Sequence, residues 1–225
     1  MGQMIELKSA DGASIPAYVA QPAGAPKGAV VVIQEIFGVN SHIRSVADAY
    51  AASGYLAVAP ALFARIKPGV ELGYSPDDIQ VGFALKSQME AMQGKALDDI
   101  QAAINHAAQA GRVGIVGYCW GGLLSWRAAC ELDGLSAAAP YYGGGLTDEA
   151  EREPRCPVLC HFAEDDSYIP LPGVAAFQAA HPEVRVHIYP GVHHGFNCEQ
   201  RGSYNEAAAR LALERSQAFF AQHLS

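Results

Sequence analysis

Six consecutive residues constrain this chain more than any others: Gly117-Tyr118-Cys119-Trp120-Gly121-Gly122. A largely apolar run over residues 112–116 precedes them, and an apolar stretch over residues 123–130 follows. The order is strand, sharp turn, helix, with a cysteine at the turn. A turn this tight strains its central residue. It also brings the positions two before, two after and three after that residue against the neighbouring strand and helix, where a side chain would collide. Gly117, Gly121 and Gly122 occupy those three places. The sulfur is then left at a helix N-terminus, where unpaired N–H groups and the helix dipole favour a thiolate and a developing oxyanion. The pattern is a nucleophile elbow, with Cys119 where serine is usual. It also has a non-catalytic reading. Free cysteines are among the most buried residue types, and glycine-rich strand–helix turns bind phosphates.

Bulk properties narrow the setting. The 225 residues are 50% hydrophobic, enough for one large α/β domain, and we read residues 1–225 as a single domain. A net charge of -8 argues against nucleic acid or an anionic membrane surface as the partner. No apolar stretch approaches the ~20 residues that span a bilayer. The first residues lack the pattern of a signal peptide, and Glu6 stands where a myristoylation signal requires Ser or Thr. The expectation is a cytoplasmic protein. Five cysteines, an odd number, argue against a disulfide framework. Cys156 and Cys160 are expected to pack in the core of a buried strand, because no second Cys/His pair completes a zinc site.

Hydrophobic periodicity supplies the framework. Residues 30–34, 55–59, 112–116, 135–142, 157–163 and 184–189 read as strands, several of them apolar throughout, as central parallel strands are. Residues 42–53 form a helix capped by Asn40 or Ser41 and stopped by Gly54. Residues 76–110 are mostly helical and divide near Gly94, and residues 173–180 and 204–223 are also helical. Residues 4–8 and 15–19 read as an antiparallel hairpin at the sheet edge. The alternation implies a mostly parallel central sheet with helices on both faces.

A cysteine nucleophile needs a base to take its proton and an acid to orient that base. In the α/β-hydrolase fold they follow in the order nucleophile, acid, histidine, each on a loop after a strand. Glu164-Asp165-Asp166-Ser167 follows one strand, and Val192-His193-His194-Gly195-Phe196 follows the next. Loops at the carboxyl ends of parallel strands converge, so the three side chains can meet. Singly, the acids read as solvated turn residues and the histidines as unremarkable. The His193-His194 pair lacks a nearby acidic ligand, so no metal is expected.

Four segments then resemble a known family. Gln34-Glu35-Ile36-Phe37-Gly38-Val39-Asn40, the elbow hexapeptide, Tyr141-Tyr142-Gly143 and His194-Gly195-Phe196 are similar to motifs of the dienelactone hydrolase family, over nearly the whole chain. The resemblance implies Cys119 as nucleophile and His194 as base. It selects Asp166, four residues before Pro170, as the acid, with Asp165 as the alternative. It further implies that Glu35 lies beside the thiol and gates it. A carboxylate there cannot favour a thiolate by charge, but it can accept the S–H hydrogen bond. The residue-level alternative is a structural ion pair of Glu35, with Arg65 as partner. The backbone N–H groups of Trp120 and Ile36 would form the oxyanion hole.

The chain departs from the family where the substrate carboxylate would bind. The family's first arginine, four residues after the catalytic histidine, is Cys198 here. The second, on the helix covering the site, has no counterpart near Gln80-Val81-Gly82. Lys86 and Arg201 could substitute, although surface solvation is the expectation for both. Phe37, Tyr74, Phe83 and Tyr142 could line an apolar pocket, and Trp120 either walls it or packs beneath a loop. The expected protein is a cofactor-free hydrolase of small esters or lactones that favours neutral substrates, since a buried carboxylate without a cation is costly. A general carboxylesterase or thioesterase with promiscuous phosphotriesterase activity is the near alternative, and a non-catalytic binding module of the same fold the distant one. Oligomeric state is not legible.

Overall fold

Continuous apolar strands must be covered on both faces, and the arrangement of this chain follows from that requirement. The computed structural model describes residues 2–224. Its eight strands are β1 (Gln3–Lys8), β2 (Ser14–Ala20), β3 (Ala29–Ile33), β4 (Leu56–Pro60), β5 (Val113–Tyr118), β6 (Leu135–Tyr141), β7 (Leu159–Ala163) and β8 (Arg185–Tyr189). They form one sheet in the order β1-β2-β4-β3-β5-β6-β7-β8. β1 and β2 pair antiparallel, as do β2 and β4, while the other pairs are parallel. Every residue of β3, β4 and β5 is buried, so helices lie over both faces of the sheet centre. This is the α/β-hydrolase fold expected from the sequence.

Six helices cover the sheet: α1 (Ser41–Ala52), α2 (Pro76–Ala91), α3 (Lys95–Ala107), α4 (Trp120–Glu131), α5 (Leu171–Ala180) and α6 (Glu206–His223). α1 and α6 share a face, their Tyr50 and Phe220 rings lying 5.8 Å apart. The Asn40 side chain caps α1 by accepting from the Ile43 N–H at 3.2 Å. Ser75 and Asp78 form a capping box at the start of α2, behind Pro76. Gly94, at φ 78°, separates α2 from α3 where the sequence indicates a division.

Two features fix the carboxyl edge of the sheet. The Cys119 N–H donates to the Tyr141 carbonyl at 3.0 Å and the Tyr142 N–H to the His161 carbonyl at 2.7 Å, which ties β5, β6 and β7 together. Beneath them runs a buried chain of polar side chains. His161 meets Tyr189 Oη at 2.8 Å and Ser216 Oγ at 2.9 Å, and Ser216 meets Tyr141 Oη at 2.8 Å. Burial pushes the His161 imidazolium well below its ordinary range, so the network is neutral. Cys160 is buried in β7 as expected, but Cys156 lies outside the strand and is half-buried, because β7 begins only at Leu159.

The three elbow glycines are spaces occupied by backbone. A Cβ on Gly121 would stand 2.5 Å from the carbonyl oxygens of Ile33 and Gln34. A Cβ on Gly122 would meet the Tyr141 carbonyl at 2.5 Å, and one on Gly117 would run into the Gly121 carbonyl. Gly121→Ala is therefore expected to destabilise the fold by about 1–3 kcal/mol, the usual cost of overpacking. Urea unfolding followed by circular dichroism measures it, and an unchanged midpoint would contradict this packing.

Candidate active site

Cys119 sits between β5 and α4 at φ 56° and ψ -118°, a conformation that β-branched and bulky residues avoid. Its carbonyl accepts from the Gly122 N–H at 2.9 Å, which starts α4 and leaves the side chain at the helix N-terminus. The acid and base arrive on the loops after β7 and β8. The His194 Nδ1–H donates to Asp166 Oδ2 at 2.8 Å. Asp166 Oδ1 accepts the Tyr168 N–H at 2.9 Å, so both carboxylate oxygens are held. Cys119 and His194 line the same cavity, and Cys119 acts on the imidazole.

Asp165 is exposed and joins the framework only through its backbone, its N–H donating to the Val192 carbonyl at 3.0 Å. Glu164 accepts the Gly191 N–H at 2.8 Å and staples the two loops together. His193 points outward, its Nδ1 near the Asp165 carbonyl. Of the candidate acids and histidines, then, Asp166 and His194 are the pair brought to the thiol.

Burial alone would disfavour the His194 imidazolium. Interaction with Cys119 and the hydrogen bond to Asp166 outweigh it and push His194 up to about 10. Edges of Tyr142 and Tyr168, at 5.1 and 4.9 Å between centroids, enclose the ring.

Glu35 takes a different partner from either expectation. It makes no hydrogen bond to Cys119 among the described residues. Its Oε1 accepts from Arg201 Nη1 at 3.3 Å, and its Oε2 is buried without a hydrogen-bond partner. Arg65 is engaged elsewhere, with Asp99 at 2.7 Å and Asp11 at 2.9 Å, so the Glu35–Arg65 pair does not form. Arg201 is likewise not a solvated surface residue. Its guanidinium lies 5.8 Å from the Phe37 ring centroid, and its side chain is only 20% exposed. The reason is local. Gly195, at φ 81°, has no Cβ, and one placed there would stand 2.7 Å from the Arg201 guanidinium carbon. Two tight turns, Cys198 N–H to Gly195 carbonyl and Arg201 N–H to Cys198 carbonyl, each 3.0 Å, return the chain across that gap.

Cys119 and His194 open into a cavity of about 280 Å³. Ile36, Phe37, Ile79, Phe83, Trp120 and Tyr168 supply its apolar wall, and Lys86 and Arg201 its cations. Lys86 thus borders the cavity and is half-buried, contrary to the surface position expected. Phe37 and Phe83 line it as expected, but three other candidates do not. Tyr142 is buried behind His194 at φ 35°. Tyr74 turns its hydroxyl to Asn40 and borders a neighbouring groove instead. Cys198 is fully buried beside Glu35 and His42, where burial and the Glu35 charge push its thiol up to about 11.

Trp120 does both things expected of it. It borders the cavity, stacks on Phe63 at 5.2 Å and 9°, and donates its indole N–H to Glu90 Oε1 at 2.7 Å. Ile36 and Trp120 flank Cys119 in the cavity wall, where the oxyanion hole is expected. Tyr168 and Ile79 were not legible as site residues in the sequence. The only sign for Tyr168 was its position two residues after Asp166 on the acid loop.

Residues 15–224 match the model of the dienelactone hydrolase family. The chain belongs to that family. It is 35% identical over 226 residues to the carboxymethylenebutenolidase of Pseudomonas putida, covering 96% of this chain and 95% of that protein. A crystal structure described as a "putative dienelactone hydrolase", from Klebsiella pneumoniae, superposes with a TM-score of 0.87 at 32% identity over 99% of both chains. A dienelactone hydrolase-like promiscuous phosphotriesterase from metagenomic libraries shares the fold, with a TM-score of 0.79 at 19% identity over 99% of this chain and 98% of that one. This dienelactone hydrolase family member is a carboxylic-ester hydrolase, and the residues brought together at its elbow suit that chemistry.

The charge around His194 has a measurable consequence. A histidine raised above its unfolded value of about 6.5 contributes stability that is complete below that pH and lost as pH rises through about 10. Cys119→Ala removes the interaction with the sulfur that raises His194, so the His194 ring should titrate at lower pH in the variant, read from its NMR ring-proton shifts. An identical titration in both proteins would mean that the thiol does not face the imidazole.

Proposed function

We propose that this family member hydrolyses small esters and lactones through a thioester on Cys119, in the cytoplasm, as one catalytic domain without a cofactor. The observation that carries the reading is the buried Asp166–His194 hydrogen bond of 2.8 Å, with the imidazole and Cys119 lining one cavity. Five free thiols suit a reducing compartment, and no helix among the described residues is long and apolar enough to cross a membrane.

The chemistry follows from the geometry. Cys119 passes its thiol proton to His194, its Sγ attacks the carbonyl carbon, and the C=O electron pair moves onto oxygen, facing the backbone N–H groups of Trp120 and Ile36. The tetrahedral intermediate collapses, the C–O bond breaks, and the His194 imidazolium protonates the departing alkoxide. The neutral imidazole then takes a proton from water, and the resulting hydroxide attacks the thioester. The thiolate leaves, and the product is a carboxylic acid. From a lactone the alcohol stays attached, and the product is a hydroxy acid. Asp166 holds the imidazole in the required tautomer. Glu35 acts on Arg201 in this geometry: it neutralises the guanidinium at the cavity wall and fixes its position.

Cys119→Ala is expected to lower kcat by at least about three powers of ten with the fold unchanged. An activated aryl ester gives the test. Wild-type protein should release a burst of phenol equal to the enzyme concentration and gain the mass of one acyl group. Turnover retained in cleanly purified Cys119→Ala would overturn the mechanism.

Selectivity for neutral over anionic esters rests on the cavity's charge. Arg201 is compensated by Glu35, and Lys86 makes no salt bridge among the described residues. One half-exposed ammonium on an apolar wall contributes little to binding a carboxylate. A neutral ester should therefore show a higher kcat/KM than its carboxylate-bearing analogue of equal size. Lys86→Met should change kcat/KM for the anionic analogue by no more than about fivefold, the effect of an exposed ion pair. A larger loss would identify Lys86 as a carboxylate anchor and restore anionic lactones as the substrate class.

A further inference from the structure

Beside the catalytic cavity, three ligating side chains converge in a cluster from which the hydrolysis uses only Glu35 Oε1, on Arg201. Glu35 follows β3, His42 is the second residue of α1, and Cys198 lies on the loop after His194. All three are buried, with relative exposures of 0%, 3% and 0%. One ligand atom from each lies within 4.8 Å of the other two. Two polar atoms of this cluster, Glu35 Oε2 and His42 Nε2, are buried without any hydrogen-bond partner. Such orphans are rare, because a desolvated polar atom keeps the full cost of leaving water. None of the three residues lines the Cys119 cavity.

We propose that Glu35, His42 and Cys198 form a binding site for a thiophilic divalent cation of the zinc type. The donor set is one sulfur, one imidazole nitrogen and one carboxylate oxygen. Calcium and magnesium require oxygen ligands, whereas zinc takes this mixture with three protein ligands and one open position. Zinc bonds of about 2.0–2.3 Å put tetrahedral ligand atoms roughly 3.5 Å apart. The cluster therefore needs to contract by about an ångström at its widest. The charges of the ligands and of Arg201 sum to one positive with the dication bound, far less than the bare ion brings. On binding, the Cys198 thiol proton passes to solvent, and the resulting thiolate and the Glu35 carboxylate, which Arg201 shares, face the dication.

The surroundings support the site in two ways. Arg201 holds Glu35 through Oε1, which orients the carboxylate and leaves Oε2 available, as outer partners orient metal ligands elsewhere. His42 also borders a surface groove that includes Asn197 and Glu199, and the Glu199 charge acts on its ring. A cation can enter along that groove without crossing the catalytic cavity. Once bound, it would join the start of α1 to the end of β3 and to the histidine loop.

The test uses Cys119→Ala protein, so that the Cys119–His194 pair cannot capture the metal. After chelation, the protein is incubated with zinc sulfate or cobalt chloride, desalted and analysed for metal. The expected result is about one zinc per chain, a thiolate-to-cobalt charge-transfer band, and a higher melting temperature with zinc. His42→Gln and Cys198→Ala, each added to that protein, should weaken retention at least tenfold. Cys198→Ser serves if the alanine variant does not fold. The same substitutions in otherwise wild-type protein should leave ester hydrolysis unchanged. A parent that retains no zinc would overturn the site and indicate a buried water bridging the orphaned atoms. Retention unaffected by either substitution would overturn it equally. Because the test reads metal content, its failure does not bear on the thioester mechanism.

Discussion

Close backbone packing around Cys119 is the constraint on which the rest depends. β5 must end and α4 must begin within one residue, and only a left-handed conformation at Cys119 achieves that. The helix start then lies almost against the carbonyls of Ile33, Gln34 and Tyr141, with no room for side chains at Gly117, Gly121 or Gly122. Gly143 belongs to the same contact, since a Cβ there would stand 2.8 Å from the Leu123 nitrogen. The Tyr141-Tyr142-Gly143 motif is thus the other half of the elbow. What results is a sulfur with a fixed direction, beside donors whose positions are set by the sheet.

Around that sulfur two charge pairs are held at different depths and serve different ends. Asp166 and His194 form one, and Glu35 and Arg201 the other. In the first, a desolvated carboxylate keeps a proton on the imidazole that faces the thiol. In the second, a fully buried carboxylate finds its cation seven residues beyond the catalytic histidine. Removing one member of either pair would leave a buried charge uncompensated, which costs more than the pair contributes. The Glu164–Gly191 hydrogen bond joins the loop of Asp166 to the loop that carries both His194 and Arg201, so the two pairs share one loop.

The cavity's outer wall is a different kind of structure. α2 contributes Ile79, Phe83 and Lys86, yet buries only Gly82, Leu85 and Met89. It can approach the Ile36 loop because Gly82 has no side chain; a Cβ there would stand 2.6 Å from the Ile36 carbonyl. Val81 and Phe83 remain more than 40% exposed. The surface that meets substrate is therefore laid over the catalytic framework with few contacts of its own. Changes on α2 are free to alter selectivity while the elbow stays intact.

Much of this was legible in the sequence because it depends on short-range physics. Alternating apolar runs determine strands and helices, and glycine at three spacings around Cys119 leaves few folds other than an elbow. The order cysteine, acidic loop, histidine loop follows chain direction alone. The sequence left Asp165 and Asp166 as alternatives, because adjacent loop residues differ only in which way the backbone turns them. The partner of Glu35 was hidden for the same reason. Arg65 and Arg201 are equally charged on paper, and the tight turns after Gly195 bring one of them across while Asp11 and Asp99 hold the other. Tyr142 and Cys198 read as pocket residues but are buried behind it. Local pattern determined the scaffold and the nucleophile. Pairing between distant loops, decided by desolvation and by the space one missing Cβ leaves, required the tertiary structure.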